Sequence, residues 1–145
     1  MRILIQRVTE ATVTVDGREV AAIGRGLLAL VGVTHTDTPE TAAALAAKTV
    51  KLRIFADAAG LMNLALGEVG GQVLAVSQFT LYGDARKGNR PSFTGAARPE
   101  QGAAVYEAFV EGVRAAGVPV ETGIFGAHME VALVNDGPVT ILLEA

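Results

Sequence analysis

The sequence predicts an α/β (α+β-like) fold, a single domain over residues 1–145 with a mixed, largely antiparallel sheet and two main helices. Three observations predict it. Alternating apolar and polar residues, typical of strands, recur near both ends of the chain. Two segments between them carry helix start and stop signals. Half of the residues are hydrophobic, which is enough to form a core in a chain of this length.

The first third of the chain has the pattern of an antiparallel hairpin. Residues 3–5 and 12–15 alternate between apolar and polar side chains. Asp16-Gly17 predicts a two-residue type I′ turn, because both central positions of that turn need a positive φ. We expect the returning strand to cover Glu19 to Ile23.

A third strand is predicted over residues 27–33, which are apolar on both faces and therefore belong to the centre of a sheet. The glycines before it, Gly24 and Gly26, match part of the dinucleotide-binding fingerprint. That fingerprint requires the glycines to open a helix, whereas here they open a strand-like run. They indicate a turn between strands.

The first helix is predicted from Asp37 or Thr38 to about Leu52. Either of the first two residues is a good N-cap, and Pro39 suits the first turn. Alanines dominate residues 42–47, and their small size should let this helix lie close to the sheet.

The second helix is predicted from about Glu100 to Ala116. Val105, Phe109 and Val113 form its buried stripe at a spacing of four residues, and Gly117 follows as a terminating residue.

Three more strands are predicted in the second half of the chain. One is a buried strand over residues 72–82 whose far end becomes polar. The others, residues 130–134 and 139–143, flank Asn135-Asp136-Gly137-Pro138, which a plain turn would explain. The irregular stretch 83–99 is long for a loop in a compact domain, so it is a candidate for function.

Composition excludes several classes of protein. The absence of cysteine excludes disulfides, thiolate catalysis and zinc–cysteine sites. The longest apolar runs are far shorter than the roughly 20 residues of a membrane helix. The N-terminus returns to charge at Arg7, too early for a signal peptide. We therefore expect a soluble, cytoplasmic protein without a membrane partner.

The net charge of −3 argues against a purely electrostatic nucleic-acid binder, but the basic residues are unevenly distributed. Arg86, Lys87, Arg90 and Arg98 lie in one stretch with no acidic residue between them. This stretch is either a solvated loop or a surface for phosphates.

Metal and triad chemistry have little support in the sequence. His35 and His128 are far apart, and neither has a carboxylate at ligand spacing, so no metal or cofactor is expected. The context of His128 favours a structural histidine. The only serines, Ser77 and Ser92, lie outside a nucleophile elbow, which argues against a catalytic triad.

Two polar segments remain, and each interrupts an apolar strand. Residues 77–81 (Ser-Gln-Phe-Thr-Leu) carry hydroxyl and amide groups where a strand would normally stay apolar. Residues 135–140 (Asn-Asp-Gly-Pro-Val-Thr) contain a Gly-Pro pair, and X-Pro is the one peptide bond that readily becomes cis. A cis pair there would present its carbonyl groups in a fixed geometry.

Together these segments resemble the two signature motifs of the D-aminoacyl-tRNA deacylases, Ser-Gln-Phe-Thr-Leu and Asn-x-Gly-Pro-Val-Thr. The resemblance extends to the opening Met-Arg-x-x-x-Gln-Arg-Val, to residues 53–55 and 61–63, and to residues 88–93 (Gly-Asn-Arg-Pro-Ser-Phe). It spans essentially the whole chain and implies the fold of that family, with barrel-like β-layers.

The resemblance also implies an activity, namely hydrolysis of the ester that joins a D-amino acid to the terminal adenosine of tRNA. Members of the family are homodimers in which the Gly-Pro pair of one subunit enters the active site of the other. Gly137 and Pro138 would then reject L-amino acids by steric clash, and would not fully exclude glycine. Arg7 would brace that pair. Phe125 and Met129 are either core residues or, as the resemblance implies, lie near the adenosine.

Ser77, Gln78, Phe79 and Thr80 are the catalytic candidates that the resemblance implies. Neither motif contains a conventional general base. Thr80 would be a weak nucleophile without one, so we favour an oxyanion hole formed by the N–H groups of Phe79 and Thr80, helped by the ribose 2′-hydroxyl.

On this interpretation the basic stretch 86–98 contacts tRNA phosphates. Three alternatives remain open: a paralogous deacylase acting on an L-aminoacyl-tRNA, a noncatalytic RNA-binding protein, and a small-molecule esterase.

Overall fold

The computed structural model describes residues 1–145, and its sheet is built on a long first strand. Strand β1 (Arg2–Val15) turns into β2 (Arg18–Ile23), and β3 (Gly26–Gly32) follows. The connecting residues Asp16 and Gly17 have φ values of 50° and 73°. Positive φ at both positions is the requirement of a type I′ turn, so the predicted hairpin is confirmed.

Three later strands join this sheet, namely β6 (Gln72–Ser77), β7 (Val120–Thr122) and β8 (Glu130–Glu144). The order is β2-β1-β3-β6-β7, and β8 pairs with the free side of β1. Strands β6 and β7 run parallel to their neighbours, whereas β8 and the N-terminal strands are antiparallel. The sheet curves into a nearly closed, barrel-like form, as predicted for this fold class.

The helices begin and end within about a residue of their predicted limits. Helix α1 (Pro39–Lys51) is capped by Thr38, whose hydroxyl accepts a hydrogen bond from the Thr41 N–H, and α2 (Pro99–Ala115) ends before Gly117 at a φ of 79°. The predicted buried stripe of α2 is confirmed. No helix is both long and apolar enough to cross a membrane.

The closest approach of α1 is to α2, and not to the sheet as expected. A Cβ atom on Gly112 of α2 would lie 2.7 Å from the Cβ of Ala46, and both Ala42 and Ala46 are fully buried. The small residues on α1 therefore serve a helix–helix contact. No local pattern indicates this contact, because Gly112 lies in a different segment.

Two strand predictions need correction. Strand β6 ends at Ser77 because Phe79–Tyr82 forms a single 3₁₀ turn. The predicted strands on either side of the Gly-Pro pair are one strand, β8, which pairs antiparallel with β1 along both halves and shifts register opposite Val8. Gly137 and Pro138 thus form an irregularity within an edge strand, where proline's missing N–H is tolerated, and not a reversing turn.

Both faces of the central strands are buried. Leu27 and Ala29 of β3 belong to the larger core beneath the helices, whereas Leu28 belongs to a smaller core on the opposite face with Leu74 and Val13. The prediction that β3 is central is therefore confirmed.

The remaining elements are short. Strands β4 (Phe55–Ala56) and β5 (Met62–Leu64) form a separate two-stranded sheet, and Leu66–Val69 is a 3₁₀ turn. The stretch between Gly83 and α2 has no helix or strand, although Asp84 and Ser92 form an isolated β-bridge.

Candidate active site

A cavity of about 560 Å³ opens beside the C-terminal end of β6, and most of the side chains that line it are apolar. Residues 76–79 form one wall and residues 125–129 form another. Residues 96, 97 and 99 and the side chain of Tyr106 also contribute to the lining, as do Val31, Val33, Phe93, Gly102 and Val131. Five predicted site residues therefore meet in one cavity: Ser77, Gln78, Phe79, Phe125 and Met129.

The first wall turns sharply after Ser77 because the strand gives way to the 3₁₀ turn. The Gln78 N–H donates to the carbonyl of Val31 over 2.7 Å, and the Leu81 N–H donates to the carbonyl of Gln78 over 3.2 Å. The N–H groups of Phe79 and Thr80 occupy the first two positions of the turn, where a helix has no internal acceptor. Neither donates to a loop or side-chain acceptor. Two adjacent backbone donors are thus available to a ligand.

Thr80 lies outside the lining of the cavity, and its side chain is exposed. Its hydroxyl accepts a hydrogen bond from the side-chain amide of Gln78. No carboxylate or amine lies in the lining to remove a proton from this hydroxyl. The geometry favours Thr80 as part of the backbone turn over Thr80 as a nucleophile.

Hydrogen bonds to strand β6 connect the second wall to the first. The Ala75 carbonyl accepts hydrogen bonds from the Gly123 N–H over 3.1 Å and from the Tyr106 hydroxyl over 2.9 Å. The Tyr106 ring also lies 6.0 Å from that of Phe125. Burial raises the pKa of Tyr106 well above its usual value, so this hydroxyl stays neutral.

Aromatic rings also border the cavity mouth. Phe79 and Phe93 make an edge-to-face contact with ring centroids 5.2 Å apart. A Cβ atom on Gly102 would lie 3.5 Å from the Phe125 ring, an ordinary van der Waals distance, so the ring lies close to α2 at this position.

Sequence reasoning missed Tyr106, Phe93 and His128. Tyr106 is adjacent to the predicted stripe of α2, and a wider apolar face that included Gly102 would have identified it. Phe93 has no distinguishing signal beyond its place in an irregular stretch.

The interpretation of His128 as a structural histidine is wrong. Its side chain is exposed, lines the cavity and makes no hydrogen bond within the protein, because residues 124–129 form an open loop before β8. The other histidine, His35, places its Nε2 atom 2.8 Å from the Thr94 carbonyl and does not line the cavity. No group of three or more His, Asp or Glu side chains is placed to hold a metal ion.

Gly137 and Pro138 are exposed, joined by a cis peptide bond, and absent from the cavity lining of their own chain. The Arg7 guanidinium donates to the carbonyl of Asp136, the residue just before them, over 3.0 Å. It also donates to the carbonyl of Ile54, in a different segment of the chain. The Asn135 side chain donates to the carbonyls of Arg7, over 2.9 Å, and Val139, over 3.0 Å. These contacts place Arg7 against the Gly-Pro segment.

The four basic candidates do not form one surface. Arg86, Lys87 and Arg90 line a shallow groove with Asp84 and Ser92. The Arg86 guanidinium donates two hydrogen bonds to the Asp84 carboxylate, over 2.9 and 2.6 Å, and holds the pKa of that carboxyl well below its usual range. Lys87 and Arg90 therefore carry the unpaired positive charge of the groove.

Arg98 is separate from that groove. It is the N-cap residue of α2, between two residues, Ala97 and Pro99, that line the main cavity. The sequence could not show this division because it depends on how the loop folds back onto α2.

The whole fold recurs in solved structures. A structure of "c-Myc DNA Unwinding Element Binding Protein" is 40% identical, with a TM-score of 0.94, over 100% of this chain and 99% of that one. A structure of "a probable eukaryotic D-amino acid tRNA deacylase" shares the fold with a TM-score of 0.81 at 22% identity, over 98% of this chain and 97% of that one. The chain thus shares the α/β fold of both structures.

The family follows from sequence comparison. The model of the family "D-Tyr-tRNA(Tyr) deacylase" matches residues 4–144. The D-aminoacyl-tRNA deacylase of Chloroherpeton thalassium is 61% identical over 100% of this chain and 96% of its own length. The protein of the same name from Bacillus velezensis is 55% identical over 100% and 99%. The chain belongs to the D-Tyr-tRNA(Tyr) deacylase family, which makes it an enzyme of the hydrolase class and confirms the resemblance seen in its motifs.

Proposed function

We propose that the protein hydrolyses the ester between a D-amino acid, or glycine, and the 3′-terminal adenosine of tRNA, and so removes wrongly charged tRNA during translation in the cytoplasm. The observation that supports this best is the pairing of two features in one cavity. The free N–H of Phe79 lies at one wall, with that of Thr80 next to it along the turn, and a ring and a thioether lie at the other wall.

The apolar wall suits the terminal nucleoside. Phe125 and Met129 offer a ring and a polarisable sulfur, which pack well against the face of a base. The cavity volume of about 560 Å³ lies within the usual range for small-molecule sites. A base bound there would direct its ribose toward the Ser77 wall.

The other wall suits the ester. The N–H groups of Phe79 and Thr80 would donate to the oxyanion that forms when water attacks the ester carbonyl. Ser77 and Gln78 border this position. The lining contains no carboxylate, and its one imidazole, His128, belongs to the other wall, so we assign activation or positioning of the attacking water to the ribose 2′-hydroxyl of the substrate.

A second subunit would complete the site. Gly137 and Pro138 are exposed but do not reach the cavity of their own chain, so their proposed role as a chiral filter requires a partner. Edge strand β8 also exposes Val134 (50%) and Leu142 (48%), and apolar side chains on an open edge are typical of an interface. In such a homodimer, Arg7 would hold the Gly-Pro segment that enters the partner's cavity.

The basic groups would bind the tRNA backbone. Arg98 lies next to the cavity and suits a phosphate near the acceptor end, whereas Lys87, Arg90 and the partly neutralised Arg86 suit phosphates farther along.

The decisive experiment compares the hydrolysis of D-tyrosyl-, L-tyrosyl- and glycyl-tRNA by the purified protein. We expect rapid release from the D-ester, slower release from the glycyl ester and none above background from the L-ester. A preference for the L-ester would instead support the L-specific paralogue. Binding of tRNA without turnover would support a noncatalytic RNA-binding protein.

A subunit-mixing experiment tests the shared site. One variant, Thr80→Pro, lacks a proposed oxyanion donor, and the other carries Gly137→Ala with Pro138→Ala. If the Gly-Pro pair acts on the partner's cavity, co-expressed mixed dimers regain about a quarter of the wild-type sites, because half of the dimers have one intact site. Failure to regain activity from two folded variants would refute the shared site without affecting the wild-type reaction.

A further inference from the structure

His128 is the one imidazole of the cavity lining, and it has no partner in the protein. Of the 18 lining residues, only His128 and Tyr106 are ionisable, and the Tyr106 hydroxyl is committed to the Ala75 carbonyl. The imidazole of His128 is exposed and has no hydrogen-bond partner in the protein. It is therefore available to a ligand in the cavity.

The position of His128 within the lining indicates which part of a ligand it would meet. It immediately precedes Met129 and follows Phe125 on the same loop, so it belongs to the wall that suits the terminal nucleoside. The Met129 sulfur packs against Gly123, the residue that follows β7, and a Cβ atom on Gly123 would lie 2.5 Å from this sulfur. This contact holds the loop close to the end of β7.

The terminal nucleotide of tRNA brings one anionic group, the phosphodiester on its 5′ side. We propose that His128 donates a hydrogen bond from its imidazole to this phosphate and so helps to fix the acceptor end in the cavity. An imidazole donates an N–H whether neutral or protonated, and the bond is stronger from the cation. This inference rests on the proposed function, because it takes the occupant to be the end of an aminoacyl-tRNA.

The test uses two non-hydrolysable probes, so that it does not depend on turnover. Both carry D-tyrosine in amide linkage at the 3′ position of adenosine; one has a free 5′-hydroxyl and the other a 5′-phosphate. Titration calorimetry gives the affinity of each probe for the wild type and for His128→Ala, which removes the side-chain N–H. The matched control is His35→Ala, since His35 is the other histidine and lies outside the cavity.

We expect the wild type to bind the 5′-phosphate probe about three- to tenfold more tightly than the 5′-hydroxyl probe, in the range of a partly exposed charged hydrogen bond. His128→Ala should lose most of this preference and bind the 5′-hydroxyl probe as the wild type does. His128→Lys should restore the preference, and His35→Ala should behave as the wild type.

Three results would overturn the proposal. Equal wild-type affinity for the two probes would show that no group in the cavity senses the phosphate. A preference retained in His128→Ala would assign it to another side chain, such as Arg98. An equal loss of affinity for both probes would give His128 a structural or nucleoside-binding role. The proposed function fails separately, if the wild type does not release D-tyrosine from D-tyrosyl-tRNA.

Discussion

The side-chain amide of Gln78 donates a hydrogen bond to the hydroxyl of Thr80, two residues along the same turn. The hydroxyl therefore accepts a hydrogen bond from the amide, and no base lies within hydrogen-bond distance to remove its proton. A nucleophilic hydroxyl needs such a base. The turn presents backbone N–H groups instead, and the predictions for Thr80 follow from this arrangement.

Replacing Thr80 by alanine should leave kcat for D-tyrosyl-tRNA within about tenfold of the wild type, because the backbone donor is retained. Thr80→Pro removes that donor and should lower kcat by about 10²- to 10³-fold, the usual effect of losing one oxyanion donor. Single-turnover kinetics measures both, with circular dichroism as the check on folding. A folded Thr80→Ala protein without turnover would identify Thr80 as the nucleophile.

Gly137→Ala should destabilise the protein by about 1–3 kcal/mol, the usual cost of a residue held in a region of φ and ψ that essentially only glycine adopts. Gly137 has a φ of 139°, and a Cβ atom there would lie 2.7 Å from the Val139 side chain. Under the proposed function the variant should also lose its discrimination between D- and L-tyrosyl-tRNA. Urea unfolding and the two hydrolysis rates test these effects.

Gly60→Ala is the control for Gly137→Ala. It has a φ of 79° but no neighbour within 4 Å of the added Cβ atom, so it should lose some stability and keep its selectivity. Unchanged stability and selectivity in Gly137→Ala would contradict the prediction.

Tyr106→Phe should lower the free energy of unfolding by about 1 kcal/mol, the usual contribution of one hydrogen bond, because the Ala75 carbonyl keeps only its bond from Gly123. The loss should also raise KM, since Ala75 lies in the strand that leads to one wall and Gly123 leads to the other. Tyr82→Phe removes a hydroxyl that makes no hydrogen bond in the protein and should change neither value. Equal effects of both variants would refute the assignment.

Removal of Lys87 or Arg90 should weaken tRNA binding and reduce the slope of log affinity against log salt by about 0.7–0.9 for each phosphate that the variant no longer binds. Arg86→Ala should have a smaller effect, because Asp84 already neutralises that guanidinium. Filter binding over a range of salt concentrations measures the slopes. Lys48→Ala, an equal charge change on α1, is the control, and an identical effect there would indicate nonspecific attraction.

The pairing of Asp84 with Arg86 should persist into moderately acidic solution. The hydrogen bonds from Arg86 lower the pKa of Asp84 below its ordinary 3.8. The contribution of the pair to loop stability is therefore fully present above about that pH, and it is lost only as the pH falls through the lower folded value. Carboxyl carbon chemical shifts should show no titration of Asp84 between pH 7 and 4. In Arg86→Ala the titration should return toward 3.8, and a wild-type midpoint already at that value would contradict the assignment.

The sequence predicted the hairpin at Asp16 and Gly17 and the ends of both helices because turn and cap signals act between residues close in the chain. It also indicated residues 77–81 and 135–140 as candidate functional segments, since polar groups and a Gly-Pro pair are out of place in apolar strands. These two segments carried the family resemblance that the comparisons confirm.

Contacts between distant segments could not be predicted in this way. The bond from Tyr106 to Ala75 and the seat of Met129 on Gly123 join residues whose neighbours in sequence carry no signal of each other. The end of β6 at Ser77 could not be predicted, because residues 78–82 have strand-like composition and the turn forms against Val31 of another strand.

The sequence by itself therefore determined the fold class, the local turns and the identity of the polar segments. Only the tertiary structure decided that residues 77–79 and the loop before β8 meet in one cavity, that His128 is part of it and that the Gly-Pro pair of the same chain is not. The physical reason is that local signals fix backbone conformation over a few residues, whereas a site is made by packing strands and loops that are far apart along the chain.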